Sequence, residues 1–122
     1  MNDQRGLAER TKEFALRVIR LYVALPKTTE AQVIGKQLLR SGTSVGAHYR
    51  EATRSRSTAE FVSKVEGGLQ ELAESSYWIE LLVEADIIPQ TRLADLQQEA
   101  KELTAILITC SKNAKERTQN KK

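Results

Sequence analysis

Apolar side chains recur every three or four residues along most of the 122-residue chain, in four separate runs. This alternation matches the 3.6-residue turn of an α-helix, so each run forms one apolar stripe of an amphipathic helix. A half-buried β-strand would alternate polar and apolar residues with a period of two, and no segment does so. Four such helices with short connections predict an all-α, up-down-up-down antiparallel four-helix bundle.

The four runs cover nearly all of the chain. Pro89 closes the third run, and the residues after the fourth are polar and basic. We therefore expect one domain over residues 1–114 and a flexible basic tail over residues 115–122. The stripe residues are Leu7, Thr11, Phe14, Val18, Leu21 and Leu25; then Ala31, Gly35, Leu38, Gly42, Val45, Tyr49 and Ala52; then Phe61, Val65, Gly68, Leu72, Ser75, Ile79 and Leu82; then Leu93, Leu96, Ala100, Leu103, Leu107, Cys110 and Ala114.

Local signals mark the ends of these helices. Pro26 ends the first helix near residue 25, because proline disfavours helical geometry in the residue before it. Thr28 or Thr29 is the expected N-cap of the second helix. Ser57 followed by Glu60 is a capping-box pattern, in which each side chain satisfies a backbone donor at the start of the third helix.

Residue counts exclude several classes of site. Cys110 is the only cysteine and His48 the only histidine, so one subunit can form neither an intramolecular disulfide nor a cysteine or histidine cluster for a metal. No run approaches the ~20 apolar residues that span a bilayer, and the first 20 residues lack the apolar core of a signal peptide. We expect a cytoplasmic protein with no membrane association and no cofactor.

Three glycines lie inside the second helix, although glycine costs about 1 kcal/mol relative to alanine there. Gly35, Gly42 and Gly46 are seven and four residues apart and so share one face. One interpretation is close helix packing, in which another backbone approaches the missing side chains. The alternative is that residues 41–44 break the helix into a turn.

The third helix carries a second pattern beside its core stripe. Glu74, Trp78 and Leu81 follow one another at helical spacing, and the last two are apolar. They either widen the core face or form a subunit interface, because apolar surface left over from a filled core is usually buried against a partner.

Acidic pairs offer one enzymatic hypothesis. Glu71 with Glu74, and Glu99 with Glu102, are carboxylate pairs that could supply the ligands of a magnesium site in an all-α nucleotide hydrolase. The alternative is that both pairs solvate the flanks of the bundle. No phosphate-binding glycine loop, serine nucleophile motif or zinc-helix motif is present, so we expect a protein that is not an enzyme.

Charge is distributed unevenly, although the formal net charge is only +3. Residues 57–90 contain one basic and seven acidic side chains, whereas residues 1–27, 28–56 and 91–122 each have three more basic than acidic ones. Basic residues on the first two helices predict contact with RNA or DNA phosphates, and a solvated surface without a ligand is the alternative. The candidates are Arg17, Arg20, Lys36, Arg40, Arg50, Arg54 and Arg56.

Residues 33–52, read VIGKQLLRSGTSVGAHYREA, resemble the motif of the 23S rRNA intervening-sequence proteins, also called S23 proteins. Ser57, Glu60-Phe61, Glu71, Glu74 and Tyr77-Trp78-Ile79-Glu80-Leu81-Leu82 continue the resemblance, which covers residues 14–107. One departure is His48, where the motif usually has asparagine.

The resemblance implies a four-helix bundle that assembles into a homopentameric ring. It also implies kinship with the accessory protein of diversity-generating retroelements, which binds nucleic acid. An acidic third helix and basic first and second helices suit a head-to-tail contact between copies. We therefore expect a homo-oligomer that binds RNA or DNA, and the alternative is a structural ring whose partner is a protein.

Overall fold

The four apolar runs form four helices in the computed structural model, which describes residues 3–120 and the side chains of residues 6–119. The helices are α1 (Asp3–Ala24), α2 (Thr29–Thr53), α3 (Thr58–Glu84) and α4 (Gln90–Asn120). Each helix packs along its neighbour in sequence, and α4 also packs against α1. Within the described part of the chain, the diagonal pairs α1–α3 and α2–α4 do not approach closely. The predicted four-helix bundle is confirmed.

The predicted stripes form the core. All of their residues are buried except Leu21 and Phe61, which are half-buried. Phe14 is the largest side chain that is fully buried. Ile88, in the connection between α3 and α4, closes one end of this core and was not predicted. No helix in the described range has the length and apolarity needed to cross a membrane.

The predicted N-caps of α2 and α3 are both present in the structure. Thr28 caps α2 by accepting a hydrogen bond from the Ala31 N–H at 3.4 Å. Ser57 caps α3 and accepts from the Glu60 N–H at 3.1 Å. The Glu60 carboxylate, however, accepts from the N–H of Arg56 at 3.0 Å and not from that of Ser57. Each side chain of the pair therefore satisfies a backbone donor, as the capping-box pattern predicts, and the donor that Glu60 satisfies is that of the residue just before the cap.

Helix α2 is continuous through residues 41–44, so the alternative of a turn there is wrong. The hydroxyl groups of this polar stretch donate to carbonyls of the preceding turn, so they are satisfied without a break in the helix. Thr43 Oγ1 bonds the Leu39 carbonyl and Ser44 Oγ bonds the Arg40 carbonyl, both at 2.7 Å.

The three α2 glycines face α1. A Cβ atom added at Gly42 would lie 2.8 Å from Val18 Cγ2, and one added at Gly46 would lie 3.1 Å from Thr11 Oγ1. Gly35 likewise faces the last turn of α1 and the residue after it. The missing side chains therefore let α1 and α2 of the same subunit approach closely.

Helix α4 extends six residues beyond the expected boundary at Ala114 and reaches Asn120. Part of this extension is held to α3, because Lys115 Nζ lies 2.9 Å from Glu66 Oε2. Residues 121–122 lie outside the described range, and the flexibility of residues 115–122 stays a prediction.

Asp86 has a positive φ of 60° in the turn that follows α3. The Ile87 N–H bonds the Leu82 carbonyl at 3.0 Å, and the Asp86 N–H bonds the Val83 carbonyl at the same distance. This pair of bonds is the Schellman motif, which usually has glycine at the left-handed position. Aspartate is one of the few other residues that adopt this conformation.

Candidate functional site

Four exposed arginines lie at the end of the bundle where α2 meets α3. Arg50 is in the last turn of α2, Arg54 is its C-cap, and Arg56 is in the following turn. Arg117, near the end of α4, and Arg56 line the same open cavity of about 470 Å³. Arg50 lines a separate groove between α1 and α2. The four residues share one end of the bundle but not one cavity, and we call them the basic end.

The guanidinium groups of the basic end have no ion-pair partner among the described side chains. Two carboxylates near this end are bound to lysines: Glu51 lies 3.0 Å from Lys64 Nζ, and Glu66 lies 2.9 Å from Lys115 Nζ. These lysines hold the pKa of both glutamates below their ordinary value. A third carboxylate, that of Glu60, accepts the backbone N–H of Arg56 and forms no ion pair with a described side chain. The arginines therefore keep their charge available for an anionic ligand from solution.

Arg40 has a different role from the other predicted arginines. Its guanidinium forms ion pairs with Glu74 and, at 3.4 Å, with Glu71 on α3. The hydrogen bond from Arg40, assisted by one from Trp78 Nε1, lowers the pKa of Glu74. Arg40 is thus neutralised within the subunit, and the structure does not place it on the basic end.

Three further predicted residues lie elsewhere. Arg17 is seven residues after Arg10, which forms an ion pair with Glu99 of α4, so Arg17 is on the side of α1 that faces α4. Arg20 is four residues after Leu16, so it lies further towards the outer side of α1, and it is exposed. Lys36 is 14 residues before Arg50, which is about 21 Å along the helix axis. The seven predicted residues therefore do not form one surface.

The two acidic pairs are on different sides of the bundle. Glu71 and Glu74 bind Arg40 of α2, whereas Glu99 and Glu102 bind Arg10 of α1 at 2.6 and 3.0 Å. No group of three or more His, Cys, Asp or Glu side chains within the described range could hold a metal ion. The arrangement proposed for a magnesium hydrolase is therefore wrong, and each pair braces two helices.

His48 lies between α2 and α3. Its Nε2 is 3.8 Å from Glu71 Oε2, and its buried Nδ1 has no hydrogen-bond partner within the described residues. A Cβ atom added at Gly67 would come within 2.9 Å of Nδ1, so this glycine leaves room for the imidazole ring. His48 also borders an open groove of about 820 Å³ along the first half of α3.

The proposed interface residues are only partly available to a partner. Glu74 is bound to Arg40 and accepts a hydrogen bond from Trp78 Nε1 at 3.1 Å. Trp78 and Leu81 are half-buried, and Trp78 packs against the core. Tyr77 is more exposed, at 52%, and its ring meets that of Trp78 edge to face with centroids 5.0 Å apart.

Residues 6–109 match the family model described as "23S rRNA-intervening sequence protein". The chain belongs to this family. It is also similar to a protein of unknown function from the S23 ribosomal protein family of Bacteroides thetaiotaomicron, with 34% identity and a TM-score of 0.86 over 91% of this chain and 99% of that one. No curated protein matches the chain. Neither match indicates an enzymatic family.

The region that matches the intervening-sequence family includes three of the four arginines of the basic end. Arg117 lies beyond it, in the extension of α4. Sequence reasoning missed Arg117 because it assigned residues 115–122 to a flexible tail. Residues 115–119 are polar and exposed, so local periodicity holds no signal that α4 continues to Arg117.

Proposed function

We propose that the protein is a non-enzymatic, cytoplasmic homo-oligomer, a ring of five subunits, that binds RNA or DNA through the phosphate backbone. The observation that supports the binding surface is the basic end, whose four exposed arginines have no ion-pair partner within the described residues. Unpaired guanidinium groups recognise phosphates well, because their planar set of N–H donors matches two phosphate oxygens.

Assembly of subunits into a ring strengthens phosphate binding by the basic end. One subunit offers four arginines, and each further copy in a ring repeats them on the same side of the assembly. Several weak contacts to one polyanion then act together, so the avidity of the oligomer exceeds the affinity of one subunit. Binding of this kind depends on phosphates and not on base edges, so we expect weak sequence preference and strong dependence on salt.

A titration of the intact protein with fluorescent RNA and DNA of mixed sequence, repeated at rising salt, tests this proposal. The mass of the free protein is measured by light scattering in the same buffer. We expect an oligomer whose affinity falls linearly on a double logarithmic plot against salt concentration. Flat titrations at low salt would refute nucleic-acid binding, and a monomer at micromolar concentration would refute the oligomer.

Two matched double variants test whether the basic end is the surface that binds nucleic acid. Arg50→Gln with Arg54→Gln removes two charges from the basic end, and Arg17→Gln with Lys36→Gln removes two charges outside it, one on the half-buried Arg17 and one on the exposed Lys36. The first pair should weaken binding and reduce the salt slope by about 0.7–0.9 for each phosphate that the protein no longer neutralises. The second pair should leave both unchanged. Equal effects of the two pairs would mean that the basic end is not the binding surface.

The exposed ring of Tyr77 favours a second function, a scaffold that binds a protein. An oligomer that fails to bind any nucleic acid at low salt would leave this function as the better description.

A further inference from the structure

Helix α1 has a second apolar stripe that its own bundle does not cover. Leu16, Ile19 and Val23 are three and four residues apart, so they lie along one side of the helix, away from the buried stripe. Leu16 is half-buried, whereas Ile19 is 39% exposed and Val23 69%. We call these three residues the outer α1 stripe. Isolated apolar residues on a surface are ordinary, but three in a row form a continuous patch.

The outer side of α3 carries a patch of different composition, formed by Tyr77, Trp78 and Leu81, which we call the outer α3 stripe. The α1 and α3 backbones do not approach each other within the described residues, because the two helices are diagonal in the bundle. The two stripes are therefore on different faces of one subunit. One is aliphatic and the other is mainly aromatic.

The two stripes overlap in height along the bundle, at the level of Val23. Gly42 of α2 packs on Val18 of α1, and the neighbouring Ser41 hydroxyl lies 2.8 Å from the Ser75 hydroxyl of α3. Val18 and Ser75 are thus level. Helices α1 and α3 run in the same direction, so Val23 lies five residues above this level, and residues 77–81 lie two to six residues above it. Ile19 and Leu16 lie one residue above and two below it, so the stripes overlap at Val23.

Opposite charges flank the two stripes. Arg20 lies four residues after Leu16 and borders the outer α1 stripe, whereas Glu80 and Glu84 lie three and seven residues after Tyr77 and border the outer α3 stripe. All three charged side chains are exposed, and none forms an ion pair with another described side chain. The α1 face is therefore apolar with a positive border, and the α3 face is apolar with a negative one.

We propose that the outer α1 stripe of one subunit docks on the outer α3 stripe of a second copy, with Arg20 facing Glu80 or Glu84 across the contact. The inference rests on the proposed homo-oligomer and specifies its interface. Since the two faces differ, the contact is head-to-tail and each docked copy leaves one face free for the next. Because the stripes overlap in height, the contact needs little displacement along the bundle axis between successive copies, as a closed ring requires.

Two complementary variants test the docking. Val23→Glu disables the α1 face and Tyr77→Glu disables the α3 face. Light scattering should give the mass of one chain, 13.7 kDa, for each variant alone. An equimolar mixture should give twice that mass, because one intact α1 face and one intact α3 face remain and nothing can extend the pair. Ile108→Glu is the matched control: it is as exposed as Tyr77, lies on α4 outside both stripes, and should leave the mass of the assembly unchanged.

Other outcomes overturn the proposal. If only one variant loses assembly, one face pairs with itself and the contact is not head-to-tail. If both variants assemble like the unmodified protein, the interface is elsewhere although the homo-oligomer stands. A monomeric unmodified protein would overturn the oligomer as well.

Circular dichroism checks that both glutamate variants fold. A charge exchange gives an independent test if either does not: Arg20→Glu and Glu80→Arg should each weaken assembly, and the double variant should restore it. Failure of the double variant to restore assembly would refute the pairing.

Discussion

The close approach of α1 and α2 at Gly42 predicts an unusual response to the mildest substitution. Alanine in the middle of a helix is normally better than glycine by about 1 kcal/mol. A Cβ atom at Gly42, however, would lie 2.8 and 3.0 Å from the two γ carbons of Val18, closer than side chains pack. Val18 is fully buried and β-branched, so it cannot rotate away at low cost. Overpacking of this kind costs about 1–3 kcal/mol, which exceeds the gain in helix propensity.

Gly68 on α3 is the matched control. It too is buried in the middle of a helix, but a Cβ atom there would lie no closer than 3.6 Å to its neighbours, an ordinary contact. Gly68→Ala should therefore keep the full gain in helix propensity, whereas Gly42→Ala should lose about 1 kcal/mol overall. The difference between the two variants is about 2 kcal/mol, because the propensity gains cancel.

Thermal unfolding followed by circular dichroism, at one fixed protein concentration, measures this difference. For a chain of this length, 2 kcal/mol corresponds to a separation in Tm of about 8 °C, with the unmodified protein in between. In a Val18→Ala background the two γ carbons are absent, so Gly42→Ala should no longer destabilise. A Gly42→Ala protein that melts at or above the unmodified one would refute the argument that a rigid Val18 excludes a side chain here.

Three further outcomes follow from local geometry. Asp86→Gly should raise the free energy of unfolding in a urea titration, because the left-handed φ of 60° costs an L-residue about 1–2 kcal/mol and glycine's extra loss of backbone freedom is only about 0.5–1 kcal/mol; no gain would contradict the left-handed turn. Ser57→Ala should cost about 1 kcal/mol in the same assay, because the Glu60 N–H loses its cap; an unchanged midpoint would contradict the capping role. The pKa of Glu74 is lowered by Arg40 and then by Trp78, so this carboxylate stabilises the fold above its unfolded pKa of about 4.3 and the contribution is lost as the pH falls through the lower folded value. The stability difference between the unmodified protein and Arg40→Gln should therefore be present at pH 7 and shrink on acidification below about pH 4; a constant difference would argue against this linkage.

The core was predictable because helical periodicity alone decides which side chains are buried. Spacing of three and four residues predicted burial even at polar positions, such as Thr11 and Ser75. The end of α4 was not predictable in this way. Its last turns bury almost nothing, and Lys115 is held by Glu66, a residue 49 positions away. An ion pair between distant residues leaves no trace in local periodicity.

The binding surface, like the end of α4, could not be predicted from sequence spacing alone. Arg40 and Arg50 lie ten residues apart on one helix, and sequence spacing gives no reason to separate them. What separates them is α3, whose Glu71 and Glu74 reach Arg40, whereas the carboxylate nearest to Arg50 along the chain, Glu51, is bound to Lys64. A count of charges along one helix therefore overestimates a phosphate-binding surface, because the acidic residues of the packed neighbour neutralise part of it. The carboxylates of α3 therefore have two roles. Glu71 and Glu74 neutralise Arg40 within the subunit. Glu80 and Glu84 form no ion pair with a described side chain, and we propose that they meet Arg20 of another copy.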